Sequence, residues 1–149
     1  MLARFLDFLV SAVLLAFLVI FYNLQPSFQG LLMLLIVLIV QLILTVGLGL
    51  LTSAANIFYR DVDPLLRLTI QIWFYASPII YPISLVPENL RALYYINPMA
   101  GIIEAYRDIL IYGKMPNSYL VPAVIISIIV LLIGYWIFKR VEPQFADIV

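Results

Sequence analysis

Between Asp7 and Arg60 the chain carries no charged residue. A single helix crossing a ~30 Å hydrocarbon core takes about 20 residues, so this run is too long for one crossing. It is punctuated at Asn23-Leu24-Gln25-Pro26-Ser27-Phe28-Gln29-Gly30, a polar segment holding both Pro and Gly, which reads as a turn. The pattern predicts a helical hairpin over residues 4–22 and 31–55. A third uncharged stretch runs from Arg67 to Glu88, but Ser77-Pro78 and Tyr81-Pro82 interrupt it. Each Pro removes a backbone donor and biases its predecessor away from helix, so the predicted span is 65–80. A last span is predicted over 119–138, between Lys114 and Lys139.

Residues 83–117 fit neither an aqueous loop nor a simple span. They are rich in Leu, Ile and Tyr, yet they carry Glu88, Arg91, Glu104, Arg107, Asp108 and Lys114. Asn97-Pro98 breaks the region in the middle, and two short amphipathic helices meeting there would form a re-entrant hairpin. Irregular backbone is tolerated at membrane depth when protein or a wet cavity covers it. The expected fold is therefore all-α: an integral membrane bundle of four transmembrane helices with an outer re-entrant hairpin.

Orientation follows from Lys and Arg near the span ends. With a cytoplasmic N-terminus, Arg4, Arg60, Arg67, Lys139 and Arg140 lie inside, and Arg91, Arg107 and Lys114 outside. That balance places both termini in the cytoplasm, in a multi-pass protein of the cytoplasmic (inner) membrane. A cleaved signal peptide is the other reading of the first helix. Its exit, Phe21-Tyr22-Asn23-Leu24, offers no small-x-small cleavage site.

Composition strengthens the membrane reading and narrows the chemistry. Hydrophobic residues make up 66% of the 149 positions and charged residues 11%. A soluble domain carries about 25% charged residues, whereas lipid-facing helices need none. Eight basic residues balance eight acidic ones, so no basic field draws the chain to nucleic acid. His and Cys are both absent, which removes disulfides, thiol nucleophiles, Cys/His metal sites and the commonest general base. No metal site and no resident cofactor are expected. The chain also lacks a Gly-x-x-x-x-Gly-Lys-Ser/Thr phosphate loop, so any ATP-driven work falls to a partner.

Four groups of residues can carry function, each beside a plainer reading. Thr45, Gly49 and Ser53 fall four apart on one helical face, where small side chains let backbones approach within the chain or between subunits; such residues are also simply frequent in membrane helices. Asn56, Tyr59, Arg60, Asp61 and Asp63 form a compact charged loop. It can engage a soluble partner through charge-assisted hydrogen bonds, or be a solvated turn. Glu104, Arg107 and Asp108 share a helix face at i, i+3 and i+4. Two carboxylates around a guanidinium suit acid/base work or a polar substrate, and equally suit an ion pair that stabilises the hairpin. Trp73, Phe74, Tyr75, Tyr81, Tyr94 and Tyr95, with Tyr106 and Tyr112, crowd the third span and the hairpin. Such rings can line a path for a sugar chain or form an interfacial belt.

Taken together, several segments resemble the permease subunit of type-2 ABC exporters, above all the polysaccharide and polyol-phosphate branch that exports O-antigen or teichoic acid. They are Ala55-Asn56-Ile57-Phe58-Tyr59-Arg60-Asp61-Val62, then Ser77-Pro78-Ile79-Ile80-Tyr81-Pro82, then Val86-Pro87. After these come Asn97-Pro98-Met99-Ala100-Gly101, Glu104 with Tyr106-Arg107, and the tail from Glu142 to Val149. The resemblance implies a six-span permease working as a homodimer with two cytoplasmic ABC ATPase subunits, which bind ATP and magnesium. It implies a lipid-linked glycan as cargo, re-entrant gate helices around Asn97 and Pro98, and a cytoplasmic position for Asn56 to Asp61. It covers only the C-terminal part of such a permease, which fits one product of a split gene, a truncated reading frame or a fragment; with a split gene, the missing N-terminal half is a further expected partner. Readings in which the cargo is a drug, or in which the chain is an assembly subunit or a membrane enzyme using Glu104 and Asp108, remain open at this level.

Overall fold

A computed structural model describes residues 2–24, 27–59 and 61–143. Among them are six α-helices and no strand: α1 (Leu2–Phe21), α2 (Phe28–Phe58), α3 (Val62–Ala76), α4 (Glu88–Tyr94), α5 (Pro98–Leu110) and α6 (Leu120–Val141). A short 3-10 turn, Ile83–Leu85, precedes α4. The all-helical expectation holds. Two of the described helices, α2 and α6, are long and apolar enough to cross a membrane. α1 adds a shorter apolar stretch, Leu9–Phe21.

The turn after α1 forms where the polar punctuation predicts it. Asn23 adopts a positive φ of 51°, a conformation its short amide side chain tolerates. The Leu24 N–H then donates to the Val19 carbonyl at 3.0 Å and the Asn23 N–H to that of Ile20 at 3.1 Å, which closes the helix end. Ser27 starts α2 by accepting the Gly30 N–H on its hydroxyl. The predicted role of Arg60 and the tail from Gln144 onward lie outside the described residues, as do Met1, Gln25 and Pro26.

α2 extends three residues beyond the predicted 31–55 at each end, and its 31 residues span about 46 Å at 1.5 Å per residue. α3 differs from the predicted 65–80 in a physically legible way. It begins earlier because Pro64 falls in the first turn, where its missing N–H costs nothing. It ends at Ala76 because Pro78 forces Ser77 into an extended conformation, φ −101° and ψ 148°. At 15 residues it is only about 22 Å long.

α2, α5 and α6 make the core. Val37, Val40 and Leu44 of α2 pack with Ile102, Ala105 and Ile109 of α5 and with Leu120 and Ala123 at the start of α6. Further along, Gly47 of α2 meets the backbone of Val130 and Leu131, and Gly134 of α6 meets the Gly47 carbonyl. Early residues of α2 meet early residues of α6 and late ones meet late ones, so these two helices run parallel. α5 runs the other way beside α2: Ile109, near its end, touches Gly30 near the start of α2, while Tyr106 reaches Gln41. By contrast α3 buries no side chain, and none of the described side chains of α1 is buried. Leu, Ile, Val and Phe cover the outside of the bundle, as lipid-facing helices require.

Candidate functional site: the polar junction on α5

Most polar contacts between distant parts of the chain converge on α5. The sequence Asn97-Pro98 starts this helix for two reasons. The Asn side chain accepts the Met99 N–H at 3.1 Å, and Pro at the first helical position has its φ preset. The same Asn97 Oδ1 accepts the Trp73 indole N–H at 2.8 Å. An indole N–H only donates, so the opposite edge of the amide must present its donor. Asn97 Nδ2 accordingly donates to Ser77 Oγ at 2.9 Å and to the Ala76 carbonyl at 3.5 Å.

Two turns on, Glu104 is 6% exposed and forms an ion pair with Arg107. Neither charge stands alone. Arg107 Nη2 donates to the carbonyls of Pro78 at 3.0 Å and Ile79 at 3.5 Å, and Glu104 accepts the Ile83 N–H at 3.4 Å. The Pro-rich connection 77–83, which lacks helical partners for its carbonyls, is thus held by one guanidinium and one carboxylate. Buried charges survive only when paired and hydrogen-bonded in this way.

Asp108 departs from the expectation of two carboxylates flanking Arg107. It accepts instead from the Tyr119 hydroxyl, which ties the end of α5 to the start of α6. Tyr95 stacks on the Tyr119 ring at 5.3 Å between centroids. One helical position explains the difference: Glu104 and Arg107 face the 77–83 connection, while Asp108 faces α6. On the remaining side the Tyr106 hydroxyl donates to Gln41 Oε1 at 2.6 Å, linking α5 to the middle of α2. Tyr106→Phe is expected to cost about 1 kcal/mol, the usual value of a side-chain hydrogen bond between membrane helices. Thermal unfolding in lipid nanodiscs, with Gln41→Leu/Tyr106→Phe alongside, checks it, because removing both partners should cost no more than removing one.

The aromatic residues divide rather than line one surface. Trp73 and Tyr94, with Leu90, Leu93 and Ile96, border an open cleft of about 580 Å³. Tyr81 packs edge-on to Tyr94 at 6.3 Å, and Phe74 and Tyr75 are exposed and touch each other. In the 56–63 loop, Asn56 Nδ2 donates to Asp63 Oδ1 at 3.2 Å, while Tyr59 and Asp61 are exposed.

Thr45, Gly49 and Ser53 are all exposed, and nothing lies within 4 Å of where a Gly49 Cβ would sit. Packing within the chain uses Gly47 and Gly134 instead. Sequence reasoning missed both, along with Gln41, Ser77 and Tyr119. Gln41 had a signal, being the one polar side chain in the run 31–44. Gly47 sits two residues from the chosen Gly49, and only the partner helix decides between them.

Comparison with known proteins gives this arrangement a family. Residues 2–111 match the ABC-2 type transporter family. The chain belongs to that family. It is 32% identical to the O-antigen export system permease protein RfbA of Klebsiella pneumoniae over 136 residues, covering 91% of this chain and 52% of the relative. It is 28% identical to the protein of the same name from Myxococcus xanthus, covering 95% of this chain and 55% of the relative. The chain therefore spans about half the length of the curated relatives it matches. Family and apolar helices together make this ABC-2 chain a membrane protein.

Proposed function

We propose that this chain is a component of the membrane permease of an ATP-driven exporter that moves a lipid-linked polysaccharide or polyol phosphate across the cytoplasmic membrane. The observation that carries the reading is the α5 junction. Ionisable groups among membrane helices are costly and mark functional paths, and here a buried Glu104 and a partly buried Arg107 pair between α5 and the 77–83 connection inside an apolar bundle. The similarity to proteins named as O-antigen export permeases supports the choice of cargo.

In this reading α1, α2, α3 and α6 cross the membrane, both termini are cytoplasmic, and residues 83–117 form a re-entrant gate at the outer surface. The antiparallel course of α5 against the first half of α2 supports that placement, because the 111–119 connection then returns to the surface where α6 begins. The 56–61 loop faces the partner ATPase, which holds ATP and magnesium. The exposed Thr45, Gly49 and Ser53 face meets a second copy. The work of the permease is conformational. ATP binding biases two arrangements of the bundle only as far as the ATPase binds them with different affinity.

Disrupting the gene is expected to remove glycan from the cell surface while its lipid-linked precursor accumulates inside. A tagged copy should restore export and recover an ATPase subunit on purification. Normal surface glycan in the disrupted strain would overturn the reading. A selective change in drug tolerance would point to a small-molecule cargo instead.

A further inference from the structure

We infer that Asn97 is a positioning residue for transport: its side chain joins the end of α3 to the start of α5, so that these two helices move as one body. The inference rests on the permease reading for its consequence, and on geometry alone for the joint itself. α3 buries no side chain, so its orientation is not set by packing into the core. Its last turn is joined to α5 by one amide, beside a local bond from the Tyr81 hydroxyl to the Tyr75 carbonyl. Trp73 donates to Asn97 Oδ1, and Asn97 Nδ2 donates to Ser77 Oγ and the Ala76 carbonyl. The same Oδ1 caps α5 through the Met99 N–H, and α5 is the helix wedged between α2 and α6.

Capping α5 would need only a short acceptor, and Ser serves there about as well as Asn. Reaching three groups on the far side of the joint needs an amide, which both accepts and donates. Asn97→Ser would keep the cap and lose the joint, which separates the two roles in one substitution. A displacement of α3, whose first turn follows the 56–61 loop, would reach α5 through this residue as well as through the 77–83 connection that Glu104 and Arg107 hold.

The chain contains no cysteine, so spin labels at Leu68→Cys and Ile129→Cys, both exposed positions, can report the placement of α3 against α6. The full protein would be studied in nanodiscs, diluted with unlabelled protein so that each distance lies within one chain. Wild-type protein is expected to give one narrow distance distribution. Asn97→Ser should broaden it about two-fold as α3 samples more orientations, with helix content unchanged by circular dichroism. Trp73→Phe/Ser77→Ala, which leaves Asn97 and its cap in place, should reproduce the broadening. In export assays Asn97→Ser should lower glycan moved per ATP hydrolysed by about five-fold or more while hydrolysis continues, the size of a typical coupling between sites. Wild-type distance widths in both variants would overturn the joint. Broadened distances with unchanged export per ATP would overturn its role in transport. If wild-type protein moved no glycan at all, the permease reading would fail, and the distance widths would still decide the joint.

Discussion

Gly134→Ala is expected to destabilise the bundle by about 2–3 kcal/mol, the range for an overpacked interior contact that cannot relax. A Cβ at this position would sit 2.5 Å from the Gly47 carbonyl oxygen and 3.4 Å from Leu50 Cβ. The opposing atom is backbone of a 31-residue helix, so no rotamer change relieves the clash and α2 and α6 must separate. Gly47→Ala should behave alike, because its Cβ would meet the Leu131 nitrogen at 2.7 Å and the Val130 carbonyl carbon at 2.9 Å. In both cases the helix-propensity gain of Ala over Gly, about 1 kcal/mol, runs against the clash and is outweighed. Gly49→Ala is the control. Nothing lies within 4 Å of its Cβ position, so within one chain only the propensity gain applies. Thermal unfolding in nanodiscs at matched lipid ratio checks all three. A Gly134→Ala protein as stable as wild type would show that α2 and α6 do not approach as closely as described. A destabilising Gly49→Ala would show that this face is covered by another subunit.

That contrast marks where the sequence was legible. Helix positions were for the most part, because charge spacing and Pro placement act locally: the turn at Asn23 and the break at Asn97-Pro98 form as the residues dictate, while α3 stops at Ala76, before Pro78 and short of the predicted residue 80. The packing face of α2 was not. Thr45, Gly49 and Ser53 form as good a stripe of small residues as a sequence offers, yet Gly47 makes the contact. The choice depends on Gly134, far along the chain, and on the parallel course of α6, which no local pattern encodes. The same holds within the α5 site. Spacing correctly paired Glu104 with Arg107, since i and i+3 on one helix are neighbours. It wrongly gave Arg107 a second carboxylate, because Tyr119 on another helix takes Asp108. Asn97 was legible as part of a break and illegible as a cap or a joint, since Trp73 and Ser77 reach it only once α3 and α5 lie together.

Removing the Arg107 side chain should have the largest effect of any single change at the site. Arg107→Ala deletes the only cation beside Glu104 among the described contacts, leaving a carboxylate that is 6% exposed with just the Ile83 N–H at 3.4 Å. Stranding one member of a buried ion pair costs about 3–5 kcal/mol. It also frees the Pro78 and Ile79 carbonyls, which neighbouring prolines prevent from joining a helix. Glu104→Gln/Arg107→Met removes both charges while keeping most of the volume, so it should be less damaging than Arg107→Ala alone. A difference of about 2 kcal/mol between them would assign the loss to the uncompensated charge rather than to lost contacts. The 77–83 connection should become susceptible to protease in Arg107→Ala and stay protected in the double variant only if packing suffices to hold it. On the proposed permease role, Arg107→Ala at equal membrane abundance should export less glycan, because the connection that links α3 to the α5 hairpin no longer holds one shape. Wild-type export at equal abundance would remove Arg107 from the transport path and leave it a purely structural charge. The two readouts are separable, since stability is measured on the purified chain and export on the assembled transporter.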